Sequence, residues 1–111
     1  MCRALKLLCA APGQDRLMNL KRATVSATWE LVGGAASLEE LGDQVAGWRP
    51  DVVVLDASLG PEAVAAIRSE LPRCRIVSVG AVEGADAVAP SLEHVRDTVL
   101  GIPKPGGPIR A

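Results

Sequence analysis

The sequence contains no phenylalanine and no tyrosine, and its only aromatic residues are Trp29 and Trp48. A core must therefore be assembled from Val, Leu, Ile and Ala, the residues of strands buried on both faces of a parallel sheet. With no aromatic platform, and no basic run longer than Lys21-Arg22, the chain lacks the stacking surface and positive field of a nucleic-acid site. Net charge is −1, and no direct nucleic-acid contact is expected. No apolar run approaches the roughly 18 residues of a membrane span. Residues 1–12 lack the long apolar core of a secretion signal, because Lys6 interrupts Leu5 to Ala11. The expected location is the cytoplasm, away from membranes.

Cysteine and histidine are also scarce. Cys2, Cys9 and Cys74 are odd in number and show no CxxC spacing, which argues against a disulfide framework or a metal site. Cys9 and Cys74 read as buried free thiols acting as small hydrophobes. The single histidine, His94, has no Ser, Cys or second His at catalytic spacing and reads as a solvated side chain. Gly33-Gly34 belongs to no GxGxxG or GKS/T pattern and reads as a strand-to-helix turn. No enzymatic activity is expected.

What is present is regular alternation. Leu5 to Ala10 is a short apolar strand, broken by Pro12-Gly13. Gln14 to Ala27 has helical character, with Leu17, Leu20 and Thr24 on one face. Trp29 to Gly33 is a second strand. Ser37-Leu-Glu-Glu40 forms a capping box, in which Ser37 and Glu40 satisfy orphan backbone donors. Leu38, Leu41, Val45 and Trp48 follow as an amphipathic stripe, which makes Trp48 a core plug. Arg49-Pro50 ends that helix.

Asp51 to Leu55 is the strongest strand, continuously apolar after its first residue and ending beside Asp56. Pro61 opens a third helix with Val64, Ile67 and Leu71 inward, and Pro72 stops it. Arg75 to Val79 is a fourth strand. Ser91 caps a last helix whose inner face is Leu92, Val95 and Val99, and Gly101 ends it. This alternation implies parallel βαβ units with right-handed crossovers. Residues 1–101 read as one domain, and residues 102–111, rich in Pro and Gly, as a linker or tail leading to further protein.

One crossover is too short for the pattern. Only Gly80, Ala81, Val82, Glu83 and Gly84 separate Val79 from Ala85, whereas a parallel connection usually takes a dozen residues or more, with a helix. A helix is therefore missing or reduced there, and residues 85–89 form an irregular fifth strand whose direction the loop decides. Loss of that helix is expected to uncover apolar side chains of the fourth strand, making Val77, Val79, Val82 and Val88 a possible interface.

The stretch Arg49-Pro-Asp-Val-Val-Val-Leu-Asp56, followed by Leu59 and a helix, resembles the receiver domain of two-component response regulators, the CheY-like family. Arg16, Leu17 and Leu20 also fall where the family's first helix often carries Arg and Leu, and Gly84-Ala-Asp86 looks like the family's entry to its fifth strand. The resemblance spans roughly residues 3 to 100. It implies a flavodoxin-like open parallel α/β sheet in the order 2-1-3-4-5, with Asp56 at the phospho-acceptor position.

The accompanying groups are degenerate. The two acids that hold Mg²⁺ in the family fall on Ala10 and Ala11, and the nearest acid, Asp15, lies about one turn into the first helix. The hydroxyl after the fourth strand falls on Gly80. The lysine after the fifth falls on Ala89 or Ser91, while Lys6, Lys21 and Lys104 lie elsewhere, and the switch aromatic falls on Asp86 or Val88.

The resemblance therefore implies a pseudo-receiver: a phosphorylation-independent interaction module, inactive at Asp56 and forming the N-terminal part of a larger regulatory protein. It would need no cofactor and would bind a protein partner or a second copy through the fourth-strand and last-helix side. Two alternatives stand beside it. One is a working acceptor at Asp56 with non-standard Mg²⁺ ligation. The other is a flavodoxin-like module binding a small ligand between the loops after Ala10 and Asp56.

Overall fold

The computed structural model describes residues 5–26 and 28–101. Strands β1 (Leu5–Ala10), β2 (Trp29–Ala35), β3 (Val52–Asp56), β4 (Arg75–Val79) and β5 (Ala87–Ala89) form one sheet. Every pairing is parallel and the order is β2-β1-β3-β4-β5, as expected. Helices α1 (Gln14–Ala23), α2 (Leu38–Trp48), α3 (Pro61–Glu70) and α4 (Val95–Gly101) cover its two faces. The expected linker at 102–111, with Lys104, and Cys2 lie outside the described residues. No helix among the described residues is long and apolar enough to cross a membrane.

Strand β3 organises the core. Its side chains alternate, so that Val53 and Leu55 pack with Leu41, Val45, Val64 and Ile67 of α2 and α3. Val52 and Val54 pack with Leu17, Leu20, Val95 and Val99 of α1 and α4. Val52 to Leu55 are all buried, which is why this run shows no polar alternation in sequence.

Local chemistry ends the helices where it does. At α2 the Glu40 N–H donates to Ser37 Oγ at 3.2 Å, and Glu40 Oε1 accepts the Ala36 N–H at 2.7 Å. The capping box thus forms, with its return bond reaching one residue further back than expected. Helix α1 stops at Ala23 rather than Ala27. Thr24 is fully buried, and its hydroxyl folds back on the carbonyls of Leu20 (3.0 Å) and Lys21 (3.1 Å), with Cys9 Sγ 3.2 Å away. Trp29 Nε1 donates to the Thr24 carbonyl at 2.6 Å, so the buried tryptophan is Trp29.

Trp48 is not a core plug: it is 45% exposed, and its Nε1 donates to Gln44 Oε1 at 3.0 Å. Its indole lies on β2 at Gly33, where a Cβ would stand only 2.7 Å from Trp48 Nε1. At Gly34 a Cβ would stand 2.6 Å from Lys21 Cε on the opposite face. Gly33-Gly34 is therefore not a turn. The pair lies inside β2 and lets side chains from both flanking helices rest on the backbone. Just before it, Leu7 pairs with Leu31 but Leu8 pairs with Gly33, so Val32 is an extra, bulged residue.

The helix-less crossover runs parallel all the same. Because Ala87 pairs with Val77, the chain must return by only two residues' rise, roughly 7 Å, which a loop can cover. Gly80 and Gly84 turn it with φ of 91° and 92°, a region open to glycine. Val82 and Ala85 pack against the α2–α3 side of the core, in place of a helix. Arg68 ties the loop down: Nη1 donates to the Cys74 carbonyl (2.6 Å), and Nη2 to Asp86 Oδ2 (2.8 Å). The same Asp86 oxygen accepts the Ile76 N–H at 2.8 Å, and the Asp86 N–H donates to the Ile76 carbonyl at 2.8 Å.

The expected uncovering of β4 does not occur. Ile76, Val77 and Ser78 are fully buried and Val79 is half-buried. Val77 points into the α1–α4 core and can form no interface. Of the expected surface, Val82 is half-buried and Val88, on β5, is exposed. Leu92 is 40% exposed rather than inward, because it sits in a 3-10 turn (Leu92–His94) ahead of α4 and so off the helical stripe. His94 is exposed, as expected.

Candidate functional site

Asp56 is the last residue of β3, and the chain leaves it through one 3-10 turn, Ala57–Leu59. Gly60, at φ 83°, then turns into α3, whose first residue is Pro61. The turn is held by the acid itself: Asp56 Oδ1 accepts the Ser58 N–H at 2.9 Å and the Ser58 hydroxyl at 2.7 Å. This is a side-chain turn of the kind Asp favours. Arg16, in the first turn of α1, donates through Nη1 to Asp56 Oδ2 at 3.4 Å and to Ser58 Oγ at 3.2 Å. The three residues form a closed triangle at the carboxyl end of the sheet. The Arg16 side chain is 62% exposed and that of Asp56 25%, so this ion pair contributes little stability and serves as a local charge balance.

Beside the triangle lies a cleft of about 260 Å³ lined by Arg16, Asn19, Leu20, Asp56, Val79 and Leu92. The strand register brings the degenerate positions to the same end of the sheet. Ala10 pairs with Leu55, and both Ala10 and Ala11 are fully buried, the Ala11 N–H donating to the Ala35 carbonyl at 3.0 Å. Gly80 donates its N–H to the Ala89 carbonyl at 3.0 Å, and a Cβ there would touch the Ala57 methyl at 3.2 Å. Ala89 is buried in the α1–α4 core, and Ser91 Oγ pairs with His94 Nδ1 at 3.0 Å. Asp15 is exposed in the first turn of α1.

The residues present do not fit a magnesium site. A hard cation of this kind needs several oxygen ligands in near-octahedral array. Here one carboxylate oxygen already takes two hydrogen bonds and the other faces a guanidinium. Among the described residues no three His, Cys, Asp or Glu side chains converge where they could hold a metal ion.

Sequence reasoning placed Asp56 but missed its partners. Ser58 carried a readable signal, since Ser two residues after Asp suits such a turn. Arg16 stood in a noted position, but its pairing depends on the docking of α1 beside β3. The buried thiols behave as expected: burial pushes Cys9 up to about 11 and Cys74 up to about 12, leaving both neutral and unreactive.

No protein-family model matches the chain, and no curated protein matches its sequence. Solved structures do resemble it. The REC domain of AraT, a response regulator from Geobacillus stearothermophilus, superposes with a TM-score of 0.69 at 19% identity, covering 88% of this chain and 92% of that one. The response regulator domain of Thermotoga maritima CheB gives 0.67 at 18% identity, covering 91% and 100%. The signal receiver domain of NarL from Mycobacterium tuberculosis gives 0.67 at 21% identity, covering 89% and 95%. At these identities the likeness is one of fold, and the fold is that of receiver domains.

Proposed function

We propose that this chain is a pseudo-receiver, a regulatory module of a cytoplasmic signalling protein that acts through protein contacts and without phosphorylation. The observation that carries the reading is the closed Asp56–Ser58–Arg16 triangle, with alanine at both neighbouring strand-end positions, Ala10 and Ala11. Attack of a carboxylate on a phosphoryl group brings two anions together, and catalysis is almost wholly charge neutralisation and positioning. Arg16 supplies one exposed positive charge, whereas Gly80 and Ala89 supply none. The test is direct. Incubation with acetyl phosphate or beryllofluoride and Mg²⁺ is expected to leave the intact mass and the amide spectrum unchanged. A mass gain abolished by Asp56→Asn would instead establish a working phospho-acceptor.

The contact surface we assign to the β5 and α4 side. Val88 and Leu92 are 47% and 40% exposed there, and Leu100 is 55% exposed on α4. Such apolar side chains suit a protein partner or a second copy of the chain. Val88→Lys is expected to change stability by no more than about 0.5 kcal/mol, while removing the self-association or partner binding seen by sedimentation velocity. A parent chain that stays monomeric at high micromolar concentration removes the second-copy option.

A further inference from the structure

A second cleft, of about 340 Å³, opens at the other end of the sheet from Asp56. It lies where the α2–β3 and α3–β4 connections run side by side, and is lined by Arg49, Pro50, Asp51, Leu71, Pro72, Arg73 and Cys74. We propose that it binds small molecules that join an anionic group, phosphate or carboxylate, to a compact apolar body.

The charges decide the sign of the ligand. Two helices end here, and helix carboxyl termini carry partial negative charge. Each end is closed by one backbone bond: the Arg49 N–H donates to the Val45 carbonyl at 2.9 Å, and the Leu71 N–H to the Ile67 carbonyl at 2.7 Å. The Asp51 carboxylate likewise accepts the Lys6 N–H at 2.9 Å. The cations are not matched in this way. Neither the Arg49 nor the Arg73 guanidinium has a hydrogen-bond or ion-pair partner among the described residues, and both side chains are exposed. Two forks of planar donors therefore flank a cavity that holds one carboxylate, Asp51, and this excess of positive charge suits an oxyanion.

The walls decide the rest. Pro50 and Leu71 are buried with faces on the cleft, and Pro72 extends the apolar surface outward. Cys74, neutral and buried, adds a soft apolar floor. The volume is at the lower end of ordinary small-ligand sites, which limits the apolar body to about one ring.

The residue chosen at the rim is the least expected one. Arg49 is the one non-glycine residue with positive φ among those described, at φ 49° and ψ 61°. This is the left-handed cap position where a helix ordinarily takes Gly or Asn. Keeping arginine there costs backbone energy that glycine would save, and the side chain it places lines the cleft.

The experiment uses the full chain, followed by backbone amide NMR with phenyl phosphate and with benzoate, and with benzyl alcohol and inorganic phosphate as single-feature controls. Saturable shifts at Arg49, Asp51, Leu71 and Cys74, with Kd of order 1 mM or tighter for at least one of the two anions, are expected. Binding by both assigns general oxyanion recognition, and binding by phenyl phosphate alone assigns phosphate. Arg49→Gly is expected to melt no lower than the parent, since it relieves the cap, yet to bind about tenfold more weakly or worse. Arg73→Gln is expected to lose binding similarly. Binding as tight for benzyl alcohol or for inorganic phosphate alone overturns the proposal. So do shifts that centre on Ser58, an unchanged affinity in both variants, or no saturable shift with either anion.

Discussion

Raising the pH from 9 to 11 is expected to lower the domain's stability steeply, through two thiols. Burial pushes Cys9 up to about 11 and Cys74 up to about 12, each from an ordinary value of 9.0. At Cys74 burial is the main cause, opposed by the Arg68 guanidinium and reinforced by the acids Asp51 and Asp86. In the unfolded chain both ionise near pH 9, while the folded state still holds the protons. The unfolded state then binds fewer protons, so stability falls as pH rises. The contribution is complete below pH 9 and disappears as pH climbs through the folded values. The slope is roughly 1.4 kcal/mol per pH unit for each thiol, on the order of 5 kcal/mol for both by pH 11. That is a large share of the roughly 5–15 kcal/mol typical of a folded domain. The absence of tyrosine sharpens the experiment, because no phenol titrates in this window. Urea midpoints measured across it should fall steeply for the parent and far less for the Cys9→Ala, Cys74→Ala double variant. Parallel declines would show that the thiols are not responsible.

Asp86→Ala is expected to be the most damaging single change outside the apolar core. One carboxylate oxygen accepts both the Ile76 N–H and the Arg68 guanidinium, each at 2.8 Å. Alanine would orphan a part-buried backbone donor on β4 and release the arginine that braces the crossover. The first loss costs about 1–3 kcal/mol and the second up to about 1. Asp86→Asn keeps an acceptor for Ile76 and should recover most of the difference. The urea midpoint should order as parent, Asn, Ala. Hydrogen exchange should lose protection first at Ile76 and at Ala87 to Ala89. Equal stability of the Ala variant and the parent would mean that packing of Val82 and Ala85 alone holds the crossover.

Legibility in the sequence followed the length over which a signal was repeated. β3 announced itself as a continuous apolar run and β4 as a short one broken by Ser78, and the stripes of α2 and α3 repeated often enough to place Leu41, Val45, Val64 and Ile67 correctly. From these the sheet order could be inferred by resemblance. The failures sit where one contact from a distant element decides. Trp48 fits the periodic stripe but lies at the end of its helix, beyond the edge of the core, so the periodicity mispredicts its burial. Gly33-Gly34 looked like a turn because nothing local reveals that Lys21 and Trp48 rest on it. The burial of Val77 was misread because an absent helix was assumed to leave nothing in its place, and Val82 and Ala85 are too few to show a pattern. At the candidate site, Asp56 was legible from strand position alone, whereas its bond to Arg16 spans 40 residues of sequence.

The bulge at Val32 and the indole across Gly33 have a consequence for assembly. A sheet of this kind exposes unpaired backbone along its first and last ribbons, which invites intermolecular zippering and aggregation. Here β5 offers only three residues, while β2 is kinked and partly roofed by Trp48. Neither border makes a good template for another chain's backbone. Any oligomer this domain forms should therefore be built by side chains meeting face to face, leaving the sheet at its present width.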